Sequence, residues 1–133
     1  MPTPHPEVVN AQPRVLIVGF GHVGQQIARY FTEARYVDVD GVIRRASDGV
    51  EADHEETEFD LGFICVPTPE AEDGSCDTSA VREAFDRWKY AATYWCIKST
   101  VEIGTTDALN ESYILPIVCF SPEYYGETLW HPL

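Results

Sequence analysis

At 133 residues with 44% hydrophobic content, the chain carries enough apolar mass for one globular core but is short for a complete enzyme acting on two substrates. Its 22 Asp and Glu against nine Lys and Arg give a net charge of −13, which argues against a nucleic-acid partner because phosphate contacts need a cationic face. No apolar run approaches the roughly 18 residues of a membrane span, and the opening Met1-Pro2-Thr3-Pro4-His5-Pro6 lacks the basic end and apolar centre of a secretory signal, so a soluble chain with no membrane partner is expected.

The four cysteines form no C-x-x-C pair and no cluster with His, so neither a metal site nor a disulfide framework is indicated, and reduced thiols in a cytoplasm fit best. Residues 1–13 contain four prolines and read as a flexible tail, which leaves 14–133 as the folded domain.

That domain starts with Val15-Leu16-Ile17-Val18, a buried parallel strand by its apolar run, leading straight into glycines at G-x-G-x-x-G spacing. Such a loop points to a dinucleotide. Gly19 lets the chain turn out of the strand, Gly21 lets the backbone approach a pyrophosphate, and Gly24 lets the next helix lie close to the sheet; Phe20, His22 and Val23 complete the loop. Val23, Ile27, Tyr30 and Phe31 then share one helical face, with Gln25, Gln26 and Arg29 off it.

Tyr36 to Asp40 reads as a second strand closed by Gly41, and an acid at its end would hold the adenine ribose: Asp40 first, Asp38 in reserve. Arg44 and Arg45 could instead receive a 2′-phosphate, which keeps NADP open beside NAD. Six of the ten residues from Glu51 to Asp60 are acidic, a solvated run in which His54 has no expected metal role. Leu61 to Val66 is the next buried strand, stopped by Pro67-Thr68-Pro69 at its carboxyl end, where ligands of open α/β sheets bind.

After a turn at Asp73-Gly74-Ser75, Asp77 or Thr78 caps a helix whose Val81, Ala84, Phe85 and Trp88 form a core-facing stripe. Tyr94 to Ile97 is a strand leading into Lys98-Ser99-Thr100. A Gly104-Thr105-Thr106 turn caps a short helix through Leu109, and Ile114 to Phe120 is the last strand, with Pro116 at its start or on an edge. Strand and helix alternating in this way predict a Rossmann-like α/β fold: a doubly wound parallel sheet with helices on both faces. Its expected cofactor crevice combines Gly19 to Gly24, then Val66, Pro67, Thr68 and Pro69, and then Lys98, Ser99 and Thr100.

Four stretches in this order resemble the nucleotide-sugar dehydrogenases, which oxidise UDP-glucose, GDP-mannose and related substrates to acids. They are Val15 to Gly24; Phe63 to Pro69 with Asp73 to Asp77; Ile97 to Val101 with Gly104 to Thr106; and Ser121-Pro122-Glu123-Tyr124-Tyr125-Gly126-Glu127. The resemblance implies the family's amino-terminal NAD-binding domain, with NAD as cofactor. It further implies that Thr100 and Glu123 hold a water or the substrate hydroxyl near the nicotinamide, and that Glu127 lies close to the sugar.

The chain departs from the family in three places. The stretch from Asp40 to Leu61 is short, as if a helix and a small strand were trimmed; Cys76 stands where the family usually has proline; and the chain stops soon after Glu127, before the sugar-nucleotide domain and its nucleophilic cysteine. Cys65, Cys96 and Cys119 read as core side chains, and nothing cationic adjoins Cys76, so none is expected to replace that nucleophile. Two readings follow: a dehydrogenase domain that needs a nucleotide sugar held by another domain, or a non-catalytic NAD-binding sensor or partner protein. A homodimer is compatible with either, and a methyltransferase would leave the Val-Pro-Thr-Pro and Lys-Ser-Thr stretches without a purpose.

Overall fold

The computed structural model describes residues 12–31, 33–52, 58–75, 77–99, 101, 105, 108–109 and 117–121. In chain order the elements are β1 (Val15–Val18), α1 (His22–Ala28), β2 (Arg35–Val37), β3 (Ile43–Arg45), β4 (Phe59–Ile64), α2 (Ser79–Trp88), a 3₁₀ turn (Lys89–Ala91), β5 (Ala92–Ile97) and β6 (Ile117–Phe120). The six strands form one sheet in the order β3-β2-β1-β4-β5-β6. All neighbours are parallel except β2 and β3. The chain leaves β1 toward one edge of the sheet and returns on its other side at β4, so the loops after β1 and β4 diverge and leave a crevice between them.

Burial follows from the alternation of side chains along the strands. Leu16 and Val18 share one core with Val81 and Phe85 of α2, together with Ile64, Trp95, Ile97, Leu109 and Val118. Val15 and Ile17 point the other way, into a second core with Ile27 of α1, Phe31, Ala34 and Phe63. The two helices therefore cover opposite faces, and β1, whose four side chains are all buried, contributes to both cores. Each large apolar side chain buried there contributes roughly 1.5–3 kcal/mol relative to exposure.

Several expectations shift. β2 ends at Val37, before Asp38, because Gly41 N–H donates to the Asp38 carbonyl at 2.9 Å and turns the chain. Residues 38–42 are too few for a crossover helix, so β3 can only return antiparallel, as a hairpin edge where the doubly wound pattern has a parallel strand. Tyr30 is 59% exposed, contrary to its place on the predicted stripe. α1 stops at Ala28, and the next N–H groups bond three residues back, Arg29 to Gln26 and Tyr30 to Ile27, which over-rotates the turn and swings Tyr30 out.

Thr78 is the N-cap of α2 but its hydroxyl makes no capping bond; instead Asp77 Oδ1 accepts from Ser79 N–H at 3.0 Å. β4 spans Phe59–Ile64, two residues earlier than read, which leaves Cys65 and Val66 in the loop beyond it. β5 begins at Ala92, and residues 105, 108 and 109 are helical as expected. Cys119, expected in the core, is exposed: it projects from β6 to the side of the sheet away from the α2 core. Among the described residues no helix is long and apolar enough to cross a membrane, and no group of His, Cys, Asp and Glu could hold a metal ion. The tail over residues 1–11, His54, Cys76, Thr100, Pro116, Glu123 and Glu127 lie outside the described residues.

Candidate functional site

The carboxyl ends of β1, β2, β4 and β5 are joined by backbone bonds that extend the sheet ladder into the loops. Gly19 N–H donates to Val37 O at 2.9 Å, Cys65 N–H to Val18 O at 2.8 Å, and Lys98 N–H to Ile64 O at 2.9 Å. Above this floor lies an open cleft of about 560 Å³, lined by Gly19, Phe20, Gly21, His22, Val23, Asp38, Val39, Cys65, Val66, Pro67, Thr68, Lys98 and Ser99. Four loops, after β1, β2, β4 and β5, meet there because their strands are neighbours.

The three glycines of the loop occupy different surroundings. Gly19 has φ +93°, and a Cβ on it would lie 2.9 Å from the Cys65 carbonyl carbon, so both the turn and the close approach of the β4 end require glycine. A Cβ on Gly24 would overlap the Gly19 carbonyl oxygen and come 3.2 Å from Ile17 Cγ2, which is the tight seating of α1 on the loop. A Cβ on Gly21 would meet no protein atom within 4 Å. Gly21 borders the cleft, so a side chain there would fill cleft space and disturb nothing else. Protein packing explains two of the glycines, and the third fits a group brought against the backbone from outside, as a pyrophosphate is.

Around the loop the side chains are fixed. Phe20 stacks on Tyr36 with ring centroids 3.9 Å apart and planes 7° from parallel, and Gln25 Nε2 donates to Phe20 O at 3.1 Å. Ser99, predicted to touch cofactor, is buried and its hydroxyl donates to Val66 O at 2.6 Å, so it ties the β5 loop to the β4 loop. Lys98 Nζ donates to Ser121 Oγ at 3.1 Å and links the ends of β5 and β6.

The two candidate acids separate clearly. Asp40 does not line the cleft; its carboxylate takes both Arg44 NH groups, at 2.7 and 3.2 Å, and the Val42 N–H at 3.1 Å. The Arg44 guanidinium, aided by Val42 N–H, holds the Asp40 carboxyl below the usual carboxylate range. Asp38, the reserve, borders the cleft beside Val39, which is 98% exposed. Arg45 is likewise paired, with Asp48 at 2.8 Å. The sequence shows an acid at the strand end but not where the strand stops, and that boundary chooses between the two.

Burial pushes the Cys65 thiol up to about 12 and the Cys96 thiol up to about 11, so both are protonated at neutral pH. Cys65 and Val39 are cleft residues that the loop motifs alone do not single out, whereas Lys98 is expected there; the common signal of all three is a position just past a strand's carboxyl end.

A family model described as the UDP-glucose/GDP-mannose dehydrogenase family, NAD binding domain, matches residues 43–116, more than half of the chain. Two solved structures share the fold. A GDP-mannose dehydrogenase from Pseudomonas aeruginosa, solved as a ternary complex, is 19% identical over 86% of this chain and 37% of its own, with a TM-score of 0.62. A UDP-glucose dehydrogenase from the hyperthermophilic archaeon Pyrobaculum islandicum is 22% identical over 96% of this chain and 39% of its own, with a TM-score of 0.70. The chain thus spans under two fifths of the length of either structure. Comparison with curated proteins gives no match. The family match begins at β3 and the likeness of fold extends across β1 and its glycine loop as well, so the chain belongs to the UDP-glucose/GDP-mannose dehydrogenase family, as an NAD binding domain with NAD as its cofactor.

Proposed function

We propose that NAD binds in the cleft between β1 and β4, with its pyrophosphate over Gly19 to Gly24 and its adenine ribose on Asp38, and that the chain serves a nucleotide-sugar dehydrogenation. The observation that carries the reading is Gly21, the loop glycine whose missing side chain opens onto the cleft and not onto protein. Asp38 is preferred to Asp40 because a carboxylate already bonded to Arg44 has fewer lone pairs left for ribose hydroxyls. Val39 offers adenine an exposed apolar surface beside it.

On the nicotinamide side, Val66, Pro67 and Thr68 supply one wall and the backbone at Ser99 the other. NAD, when bound, supplies the hydride acceptor. Thr100 and Glu123 follow directly on the β5 and β6 ends that Lys98 and Ser121 join, which supports their acting together: a carboxylate with a hydroxyl can take the proton of a substrate hydroxyl. Glu127 completes the sugar side of this reading. The substrate is a UDP- or GDP-linked sugar.

Calorimetric titration of NADH into the wild type and Gly21→Val tests the cleft. The valine has free space in the protein, so its melting temperature should match the wild type while NADH affinity falls at least tenfold, about 1.4 kcal/mol. Equal affinity in a folded variant overturns the assignment.

A further inference from the structure

Cys96 of β5 and Cys119 of β6 are directly opposed in the parallel register. Opposed residues on parallel strands project to the same face, about 4.8 Å apart at the strand spacing. That lies inside the roughly 4.4–6.8 Å between Cα atoms that a disulfide spans. The two thiols are within hydrogen-bonding reach of each other. Cys119 is exposed and Cys96 buried, so one sulfur meets solvent while its neighbour is screened. Their face is the one away from the α2 core, and Tyr94, on the same face of β5, is 53% exposed.

We propose that Cys96 and Cys119 are an oxidative modification site at which hydrogen peroxide closes an intramolecular disulfide between β5 and β6. The exposed Cys119 reacts first: its thiolate attacks a peroxide oxygen, the O–O bond breaks, and a sulfenic acid and hydroxide result. The Cys96 thiol then gives its proton to the sulfenic oxygen as its sulfur displaces that oxygen, so water leaves while the S–S bond forms. In sum, two thiols are oxidised to a disulfide and one peroxide is reduced to two waters. The order follows from burial, which raises the Cys96 thiol to about 11 and keeps it from competing for peroxide, while the same neighbourhood holds it ready as the resolving group. Cys65, raised further and not opposed to Cys119, is no substitute. The bond would form two residues before Lys98 and Ser121, whose side chains already join these strand ends.

The folded chain is treated with hydrogen peroxide, unfolded, alkylated and mapped by mass spectrometry. Two of the four cysteines should become unavailable for alkylation, the Cys96 and Cys119 peptides should appear linked, and dithiothreitol should restore all four. Cys119→Ser, at an exposed position, should melt like the wild type and keep all three of its thiols apart. The proposal is overturned if Cys119 proceeds to sulfinic or sulfonic acid while Cys96 stays alkylatable. A link through Cys76 or between two chains in place of Cys96, or four surviving thiols, overturns it equally.

Discussion

Cofactor choice turns on single residues at the end of β2. Asp38 borders the cleft and Asp40 is engaged with Arg44, so the two acids should respond differently to removal. Asp38→Ala is expected to weaken NAD binding about tenfold, the loss of charge-assisted bonds to ribose hydroxyls. Asp40→Ala should leave NAD affinity nearly unchanged and strengthen NADP, because it releases the Arg44 guanidinium next to where a 2′-phosphate would lie; calorimetric titration of both cofactors gives the ratio. The Asp40 pKa is lowered below its ordinary 3.8, chiefly by the Arg44 hydrogen bond. A lowered carboxylate adds stability above its unfolded pKa and loses it as pH falls through the folded one. The pair is therefore intact throughout the neutral range, and NAD affinity should gain no pH dependence from Asp40 there. If Asp40→Ala lost NAD and Asp38→Ala did not, the ribose would sit on the other acid.

At the scale of elements, β4 and β5 are locked by one large residue facing one absent side chain. Gly62 is opposed in register to Trp95, and a Cβ on Gly62 would overlap the indole, with Cη2 at 2.7 Å. Trp95 is fully buried, meets Phe85 of α2 edge-on at 6.3 Å, and donates its Nε1–H to Lys89 O at 3.0 Å, so it joins β5 to α2 and to the 3₁₀ turn. Gly62→Ala should therefore cost about 1–3 kcal/mol through overpacking. Trp95→Phe should cost a similar amount, roughly 2–3 kcal/mol, by leaving a void and removing the indole bond to Lys89 O. In the double variant a smaller ring can make room for the added methyl, so urea unfolding should give less than the sum. Strict additivity would show that the two residues do not share one space.

For the whole molecule, the question is whether cofactor binding alone suffices for turnover. The chain matches less than two fifths of each solved dehydrogenase, and its cleft is lined by the loops after β1, β2, β4 and β5. Holding a sugar at the nicotinamide in the reacting geometry accounts for much of such a rate, about 7–11 kcal/mol in well-oriented systems. The 133-residue chain assayed by itself should bind NADH yet form none from NAD over a panel of UDP- and GDP-sugars. The second oxidation, from aldehyde to acid, needs an activated thiolate, and Cys65 and Cys96 are held protonated by burial. Formation of two NADH per sugar by this chain would refute that expectation and make Cys119 and Cys76 the thiols to replace next.

The sequence alone determined the architecture and the place of the cleft, because both depend on short-range patterns. A buried run ending in Gly19, Gly21 and Gly24, and a second run halted by Pro67, announce strands whose carboxyl ends open onto the cleft. Helix stripes such as Val81, Phe85 and Trp88 were legible for the same reason, and the family resemblance rested on the order of such stretches. Where each strand stops, how it pairs and which of its faces is covered were decided only by tertiary structure. Whether Asp38 or Asp40 faces the cleft follows from where β2 stops, and that is set by a turn bond and by pairing with Arg44. The antiparallel β3 follows from a connection too short to cross the sheet, and the exposure of Cys119 from which face of β6 is covered. Gly62 shows the difference most simply: in sequence it is a weak point inside a strand, and in the fold it is the space that Trp95 occupies.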